Sequence, residues 1–124
     1  MRDVAQLVER VKRFSLNSLV FYRRLAKTPD VQVAGVQYLR SSHGVWLNYR
    51  AARRSRSRAE FISKIGTVVE EIDECVANLE YMRDGRLAEN PALLQEAKEL
   101  CAIFTTSLVT AKKNAGREPA TRSS

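Results

Sequence analysis

The chain has 124 residues, of which 21 are Lys or Arg and 14 are Asp or Glu, so its net charge is +7. Hydrophobic residues make up 44% and charged residues 28%, a mixture typical of one globular domain. No apolar run approaches the roughly 20 residues that span a bilayer, and the charged N-terminus leads into no apolar stretch of a secretory signal. These features exclude a membrane-spanning protein and predict a small basic protein of a bacterial-type cytoplasm.

The low counts of 5 Gly and 3 Pro disfavour a turn-rich β-sandwich or barrel, and four segments carry helical periodicity instead. The first predicted helix runs roughly from Val4 to Lys27. It ends before Pro29, because the residue ahead of a proline is steered out of the α region. Its apolar residues recur at steps of three and four, which places them on one face. This predicted core stripe consists of Leu7, Val11, Phe14, Ser18, Phe21 and Leu25.

The second predicted helix begins near Asp30, a candidate N-cap, and runs to about Arg54. It is the least regular of the four. Its Gly44 is unfavourable inside a helix by about 1 kcal/mol relative to Ala, so we expect a close backbone approach or a bend there. The predicted core stripe consists of Val33, Val36, Leu39, His43, Trp46 or Leu47, and Arg50.

The third predicted helix opens on a capping box, in which the Ser57 hydroxyl accepts from the Glu60 amide and the Glu60 carboxylate reaches back to the Ser57 amide. We expect it to end at Asp84, with Gly85 in the left-handed conformation. A second apolar edge at Ile62, Val69 and Val76 makes its apolar surface wider than one neighbour needs. The main stripe consists of Phe61, Ile65, Val68, Ile72, Cys75, Leu79 and Met82.

The fourth predicted helix has Asn90 as N-cap and Pro91 at its first position, with Lys112 and Lys113 near the C-terminal end of its dipole. Residues 1–114 then form an all-α, antiparallel up-and-down four-helix bundle, and residues 115–124 a disordered basic tail. The core stripe of this helix consists of Leu94, Ala97, Cys101, Phe104, Leu108 and Ala111, flanked by Leu93 and Leu100.

The positive charge is concentrated where the second helix meets the third. Residues 40–64 hold 7 basic side chains and one acidic, whereas residues 65–99 hold 9 acidic and 3 basic. Five arginines within nine residues repel one another unless an anion or carboxylates lie nearby. The candidate phosphate ligands are Arg50, Arg53, Arg54, Arg56 and Arg58, with Arg40 and Lys64 extending the patch and Tyr49 positioned to stack on bases.

Two interpretations of this arginine cluster stay open. The arginines bind the phosphates of RNA or DNA, largely without sequence preference, because phosphate contacts carry no base information. Alternatively, they pair with the acidic face of the third helix, within one chain or across an oligomer interface. Trp46, like Tyr49, is either available for stacking or part of the core.

No motif indicates an enzyme, so we expect no catalytic residues, no metal and no cofactor. His43 is the only histidine, and we expect it to be a buried or interfacial hydrogen-bonding group. Glu70 and Glu74 share a helix face, but a di-iron bundle would also need Glu-x-x-His motifs. Cys75 and Cys101 match no metal spacing, and we expect reduced thiols that behave as small hydrophobes.

Three segments resemble those of a known bacterial family. They are residues 39–53 (LRSSHGVWLNYRAAR), 55–65 (SRSRAEFISKI) and 99–114 (ELCAIFTTSLVTAKKN). In this order, they resemble the small four-helix bundle proteins also described as ribosomal-RNA intervening-sequence proteins, over roughly residues 10–114. The chain departs from that pattern at Trp46, where the family usually has a small residue, and at Ala51, where it commonly has an acid.

The resemblance implies a four-helix bundle that assembles into a homopentameric ring and has no assigned enzymatic activity. It also implies a setting in ribosomal RNA gene insertions or as an accessory subunit of a reverse transcriptase in a diversity-generating retroelement. We therefore expect a non-enzymatic, oligomeric nucleic-acid-binding protein, with a reverse transcriptase as a further partner. The alternative is a homo-oligomeric scaffold whose arginines form salt bridges between subunits.

Overall fold

Four helices run alternately up and down in the computed structural model, which describes the backbone of residues 2–117 and the side chains of residues 4–116. Each helix packs along the next, and α1 closes the bundle against α4. No strand occurs in this part of the chain, so the predicted all-α four-helix bundle is confirmed. The helices are α1 (Arg2–Arg23), α2 (Pro29–Arg53), α3 (Arg58–Asp84) and α4 (Pro91–Arg117).

The apolar stripes predicted for α1, α3 and α4 form the core. On α1, Val11, Phe14 and Ser18 are at most 1% exposed. On α3, every stripe residue from Ile65 to Met82 is buried, and α4 contributes Leu94, Ala97 and Phe104. Regular spacing therefore identified the inward face of these three helices correctly.

The stripe predicted for α2 was wrong. Val33 is 72% exposed and Leu47 is 49% exposed, and His43 and Arg50 also face outward. Small and aromatic residues face the core instead, because α2 packs closely against both α1 and α3. The buried residues of α2 are Val31, Ala34, Gly35, Tyr38, Ser41, Ser42, Val45, Tyr49 and Ala52.

Close packing also accounts for Gly44. The helix is continuous through this residue, and a Cβ atom there would collide with the carboxylate of Glu71 on α3. The group that approaches Gly44 is therefore a side chain of α3, and not the backbone that the sequence led us to expect.

The helix starts follow the predicted caps with two differences. The Ser57 hydroxyl accepts from the Glu60 amide at 3.0 Å, but the Glu60 carboxylate accepts from the Arg56 amide at 2.8 Å rather than from Ser57. Asn90 caps α4 through a 3.0 Å bond from the Leu93 amide. Asp30 is not the N-cap of α2, since Thr28 holds that position and Pro29 begins the helix.

α3 ends at Asp84 as predicted, but the residue in the left-handed conformation lies one position later than expected. Gly85 is the C-cap with a φ of −80°, and Arg86 takes the left-handed position with a φ of 59°. The amide of Leu87 donates to the Met82 carbonyl at 2.8 Å, and the Arg86 amide donates to the Arg83 carbonyl at 3.1 Å. These two bonds define a Schellman motif with arginine where glycine is favoured.

The last helix is longer than expected. α4 continues to Arg117, so residues 115–117 of the predicted tail are helical. The other tail residues, 118–124, lie outside the described residues. Within residues 2–117, no helix combines the length and the apolar character needed to cross a membrane.

Candidate nucleic-acid interface

The connection between α2 and α3 brings the arginines of the predicted cluster to one end of the bundle. Arg50 and Arg53 lie in the last turn of α2, and Arg54 is its C-cap. Arg56 lies in the connection, and α3 begins at Arg58. All five side chains are exposed, so this end of the molecule presents a dense positive surface.

The guanidinium groups of four of these arginines have no ion-pair partner in the described part of the chain. Ion pairs form elsewhere in the bundle: the Arg10 guanidinium binds the carboxylates of Glu96 and Glu99 at 2.7 and 2.8 Å, and other pairs include Lys98 with Glu80, with 3.5 Å between the charged atoms. By contrast, four arginines form no ion pair with any residue of the described segment 4–116. We call these four the open cluster: Arg50, Arg53, Arg54 and Arg56. Within the described residues of one chain, the guanidinium groups of the open cluster therefore do not pair with the carboxylates of α3.

Tyr49 belongs to the core and not to the surface. Its side chain is 4% exposed, and its ring centroid lies 5.2 Å from that of Phe104 on α4. Burial raises the pKa of Tyr49, while the nearby charge of Arg53 acts in the opposite direction. A side chain so enclosed is not available to stack on bases, so its expected role is withdrawn.

The structure separates the two flanking cations. Lys64 lies six residues into α3, about 9 Å along the helix from Arg58, and is half-buried. Arg40 precedes Arg53 by thirteen residues, or about 20 Å of helix. It lines a polar cleft with Glu71 and Glu74, so Lys64 stays near the open cluster and Arg40 does not.

Two lysines of α4 were missed as members of the same surface. The contact between Tyr49 and Phe104 sets α2 and α4 in register. From that level, Lys112 lies about 12 Å further along α4, toward the end that carries the open cluster. Lys112 and Lys113 are exposed there. Only the antiparallel topology brings them to this end, because they are far from the cluster in sequence.

The acidic side chains of α3 point outward or toward α2. Glu70, Asp73 and Glu74 are exposed, and the Ser41 hydroxyl donates to Glu74 at 2.9 Å. Burial, together with the charges of Glu74 and Glu70, raises the pKa of Glu71. No three His, Cys, Asp or Glu side chains among the described residues are grouped so that they could hold a metal ion.

The remaining candidate groups lie away from the arginines. His43 is exposed rather than buried, and it lines an apolar groove between α1 and α2 with the half-buried Trp46. Cys75 is fully buried and Cys101 half-buried, and both are free thiols. Burial raises the pKa of Cys75, helped by the charges of Glu71 and Glu74, which disfavours a reactive thiolate.

The fold and the charge distribution define an all-α four-helix bundle with a basic end formed by the α2–α3 connection. Its fold is similar to the crystal structure of a protein of unknown function from the S23 ribosomal protein family of Bacteroides thetaiotaomicron, with a TM-score of 0.75 and 21% sequence identity. The match covers 82% of this chain and 96% of that chain. The chain matches no protein-family model and no curated protein. At this level of identity, the likeness shows the fold.

Proposed function

We propose that this chain is a non-enzymatic, oligomeric nucleic-acid-binding protein that holds the phosphate backbone of RNA or DNA at its basic end. The observation that best supports this function is the open cluster, because its four exposed guanidinium groups have no ion-pair partner in the described residues. Like charges at this density are stabilised by a polyanion, and guanidinium groups bind phosphate through two parallel hydrogen bonds. Lys64, Lys112 and Lys113 extend the basic end.

A paired arginine substitution tests this function. The Arg53→Gln/Arg54→Gln variant removes two positive charges at the end of α2, where both side chains are exposed. If each arginine neutralises one phosphate, the slope of log K against log salt for duplex DNA becomes less steep by about 1.8. Fluorescence anisotropy measures this slope when a labelled duplex is titrated with the protein at several salt concentrations between about 50 and about 300 mM. The protein concentrations must cover the wide range of dissociation constants that counterion release produces.

The chain offers a matched control at the opposite end of the bundle. Arg23 ends α1 and Arg24 follows it, as Arg53 and Arg54 do for α2, and both are exposed. The Arg23→Gln/Arg24→Gln variant has the same net charge as the test variant. Equal loss of binding by the two variants, or a wild-type affinity that does not respond to salt, contradicts a localised phosphate site.

The biological setting is the finer part of the proposal. The resemblance over residues 10–114 supports a homopentameric ring and a role beside a reverse transcriptase of a diversity-generating retroelement or in another RNA-based system. The similar fold in a family named for a ribosomal protein is in keeping with an RNA partner. Neighbouring genes discriminate these settings, since a reverse transcriptase or an interrupted ribosomal RNA gene beside this one favours one of them directly.

A second candidate is a homo-oligomeric scaffold without nucleic-acid binding. It is favoured by Glu70 and Asp73, which are exposed and, like the open cluster, have no ion-pair partner within the described residues. In this scaffold, the arginines of one subunit bind these carboxylates of the next. The Arg53→Glu variant separates the two candidates. If the chain is a scaffold, light scattering shows that the variant no longer assembles. If the chain binds nucleic acid, the variant keeps its assembly and loses its affinity for RNA.

A further inference from the structure

An apolar groove lies between α1 and α2. On α2 it is lined in part by residues that the sequence wrongly predicted to face the core, among them Leu39, His43 and Trp46. It has a volume of about 580 Å³, and its floor is formed by Leu16, Leu19, Leu39 and Trp46. Leu16 remains 49% exposed. The groove is therefore open to an apolar side chain of another molecule.

The charges around this groove have one sign. Lys12 and Arg40 line it together with His43 and the apolar residues, and no acidic residue does. Arg40 also reaches the cleft of Glu71 and Glu74, so Lys12 is the cation most available to an incoming partner. An occupant must therefore offer apolar contact beside carboxylates.

The same chain carries a surface of that chemistry on α3. Glu70, Glu74, Ala77 and Tyr81 follow one another at steps of four, three and four, which places them on one helix face, and all four are exposed. Tyr81 is 65% exposed, an aromatic side chain of the kind that anchors interfaces. Between residues 65 and 82, α3 contains no Lys or Arg. We call these four residues the acidic stripe.

We propose that the groove between α1 and α2 binds the acidic stripe of a second copy of this chain, with Tyr81 seated among the apolar side chains and its carboxylates beside Lys12. This inference rests on the oligomeric part of the proposed function and names the surfaces that form the contact. Groove and stripe are different surfaces of one chain, so each copy accepts one neighbour and offers its stripe to another. Repetition of such a head-to-tail contact closes into a ring when the rotation between copies permits.

Two exposed substitutions test the contact from its two sides. Leu16→Glu places a carboxylate in the groove, and Tyr81→Lys removes the anchor and adds a positive charge to the stripe. Each is expected to raise the dissociation constant of the assembly at least about tenfold, because an apolar contact is lost and like charges meet. Light scattering then gives the mass of a single 14.0 kDa chain for each variant alone.

Mixing the two variants tests the head-to-tail arrangement directly. The Leu16→Glu chain retains an intact stripe and the Tyr81→Lys chain an intact groove, so the mixture is expected to form a dimer and no larger species. Val33→Glu is the matched control, because Val33 is 72% exposed on α2 and lies outside the groove. It should keep the wild-type mass, and far-UV circular dichroism verifies the helicity of every variant.

Three results overturn this interface: a wild-type chain that is monomeric at high concentration, a Leu16→Glu variant of wild-type mass, or a mixture that stays monomeric. A monomeric wild type would leave the groove to a different protein. None of these results removes the phosphate site, which is judged by the salt slope of the Arg53→Gln/Arg54→Gln variant. Conversely, an unchanged slope together with a dimeric mixture rejects the phosphate site and retains the interface.

Discussion

The hydrogen bond between Ser18 and Tyr38 allows a quantitative test of how α1 and α2 are held together. The two hydroxyl oxygens lie 2.6 Å apart, and both side chains are 0% exposed. The Tyr38 ring is fixed edge-on against Phe21, with centroids 5.7 Å apart. Burial raises the pKa of Tyr38, so its hydroxyl stays protonated under ordinary assay conditions. The perturbations are Ser18→Ala, Tyr38→Phe and the double variant.

The two single variants should differ in cost. Ser18→Ala leaves the Tyr38 hydroxyl buried without its partner, which costs about 2–3 kcal/mol in the free energy of unfolding. Tyr38→Phe leaves the Ser18 hydroxyl, which can turn to a carbonyl of its own helix one turn back, so the cost is nearer about 1 kcal/mol. The double variant removes both polar groups and should lose less than the sum, giving a coupling energy of about 1–2 kcal/mol.

Urea unfolding of the four proteins at one fixed protein concentration measures these differences, since oligomerisation makes apparent stability depend on concentration. The larger single loss corresponds to a fall in Tm of roughly 6–18 °C, using about 3–6 °C per kcal/mol for a domain of this length. Additive losses would refute the reasoning, because they would mean that the hydroxyls act independently. A Ser18→Ala variant as stable as wild type would refute it as well.

Two further predictions concern the end of α3 and its contact with α2. Arg86→Gly should raise the free energy of unfolding by about 0.5–1 kcal/mol in urea denaturation, because the φ of 59° strains any residue with a Cβ atom, whereas Arg86→Ala should bring no such gain. Burial raises the pKa of Glu71, so its folded-state pKa exceeds the unfolded value and stability falls as pH rises through that interval. Glu71→Gln should therefore unfold at higher urea concentration than wild type at pH 7, and the difference should vanish below the ordinary range of carboxyl pKa values; an equal advantage at both pH values would contradict the assignment.

The sequence predicted three helices well because their inward faces are built from large apolar side chains at regular steps. On α3, residues such as Ile65, Ile72 and Leu79 leave little doubt about which face is inward. On α2, apolar spacing selected Val33, which is 72% exposed, over Ser41, which is 2% exposed. The buried face of α2 is made largely of small and aromatic residues because α3 approaches closely, and that close approach can be seen only in the packed structure.

The candidate site was predictable where it is local in sequence. The open cluster was visible because four arginines lie within seven residues, Arg50 to Arg56, and their exposure follows from the end of a helix. Tyr49 was misplaced because a helix end exposes some side chains and buries others, and its inward direction depends on Phe104 of α4. Lys112 joins the basic end only through the antiparallel course of α4, which no local pattern contains.

The reversed pattern of α2 has a consequence for function. A helix that buries Ser41 and Ser42 while leaving Leu39 and Trp46 only half-buried gains less from its own bundle for those two apolar side chains. The packing within one chain explains the small residues on the inner face of α2, because they permit the approach of Glu71 to Gly44. It does not explain the apolar residues on the outer face. In the interface proposed above, the acidic stripe of a second copy would cover the groove that Leu39 and Trp46 line. Assembly and phosphate binding would then use opposite properties of α2: apolar side chains along its length and guanidinium groups at its end.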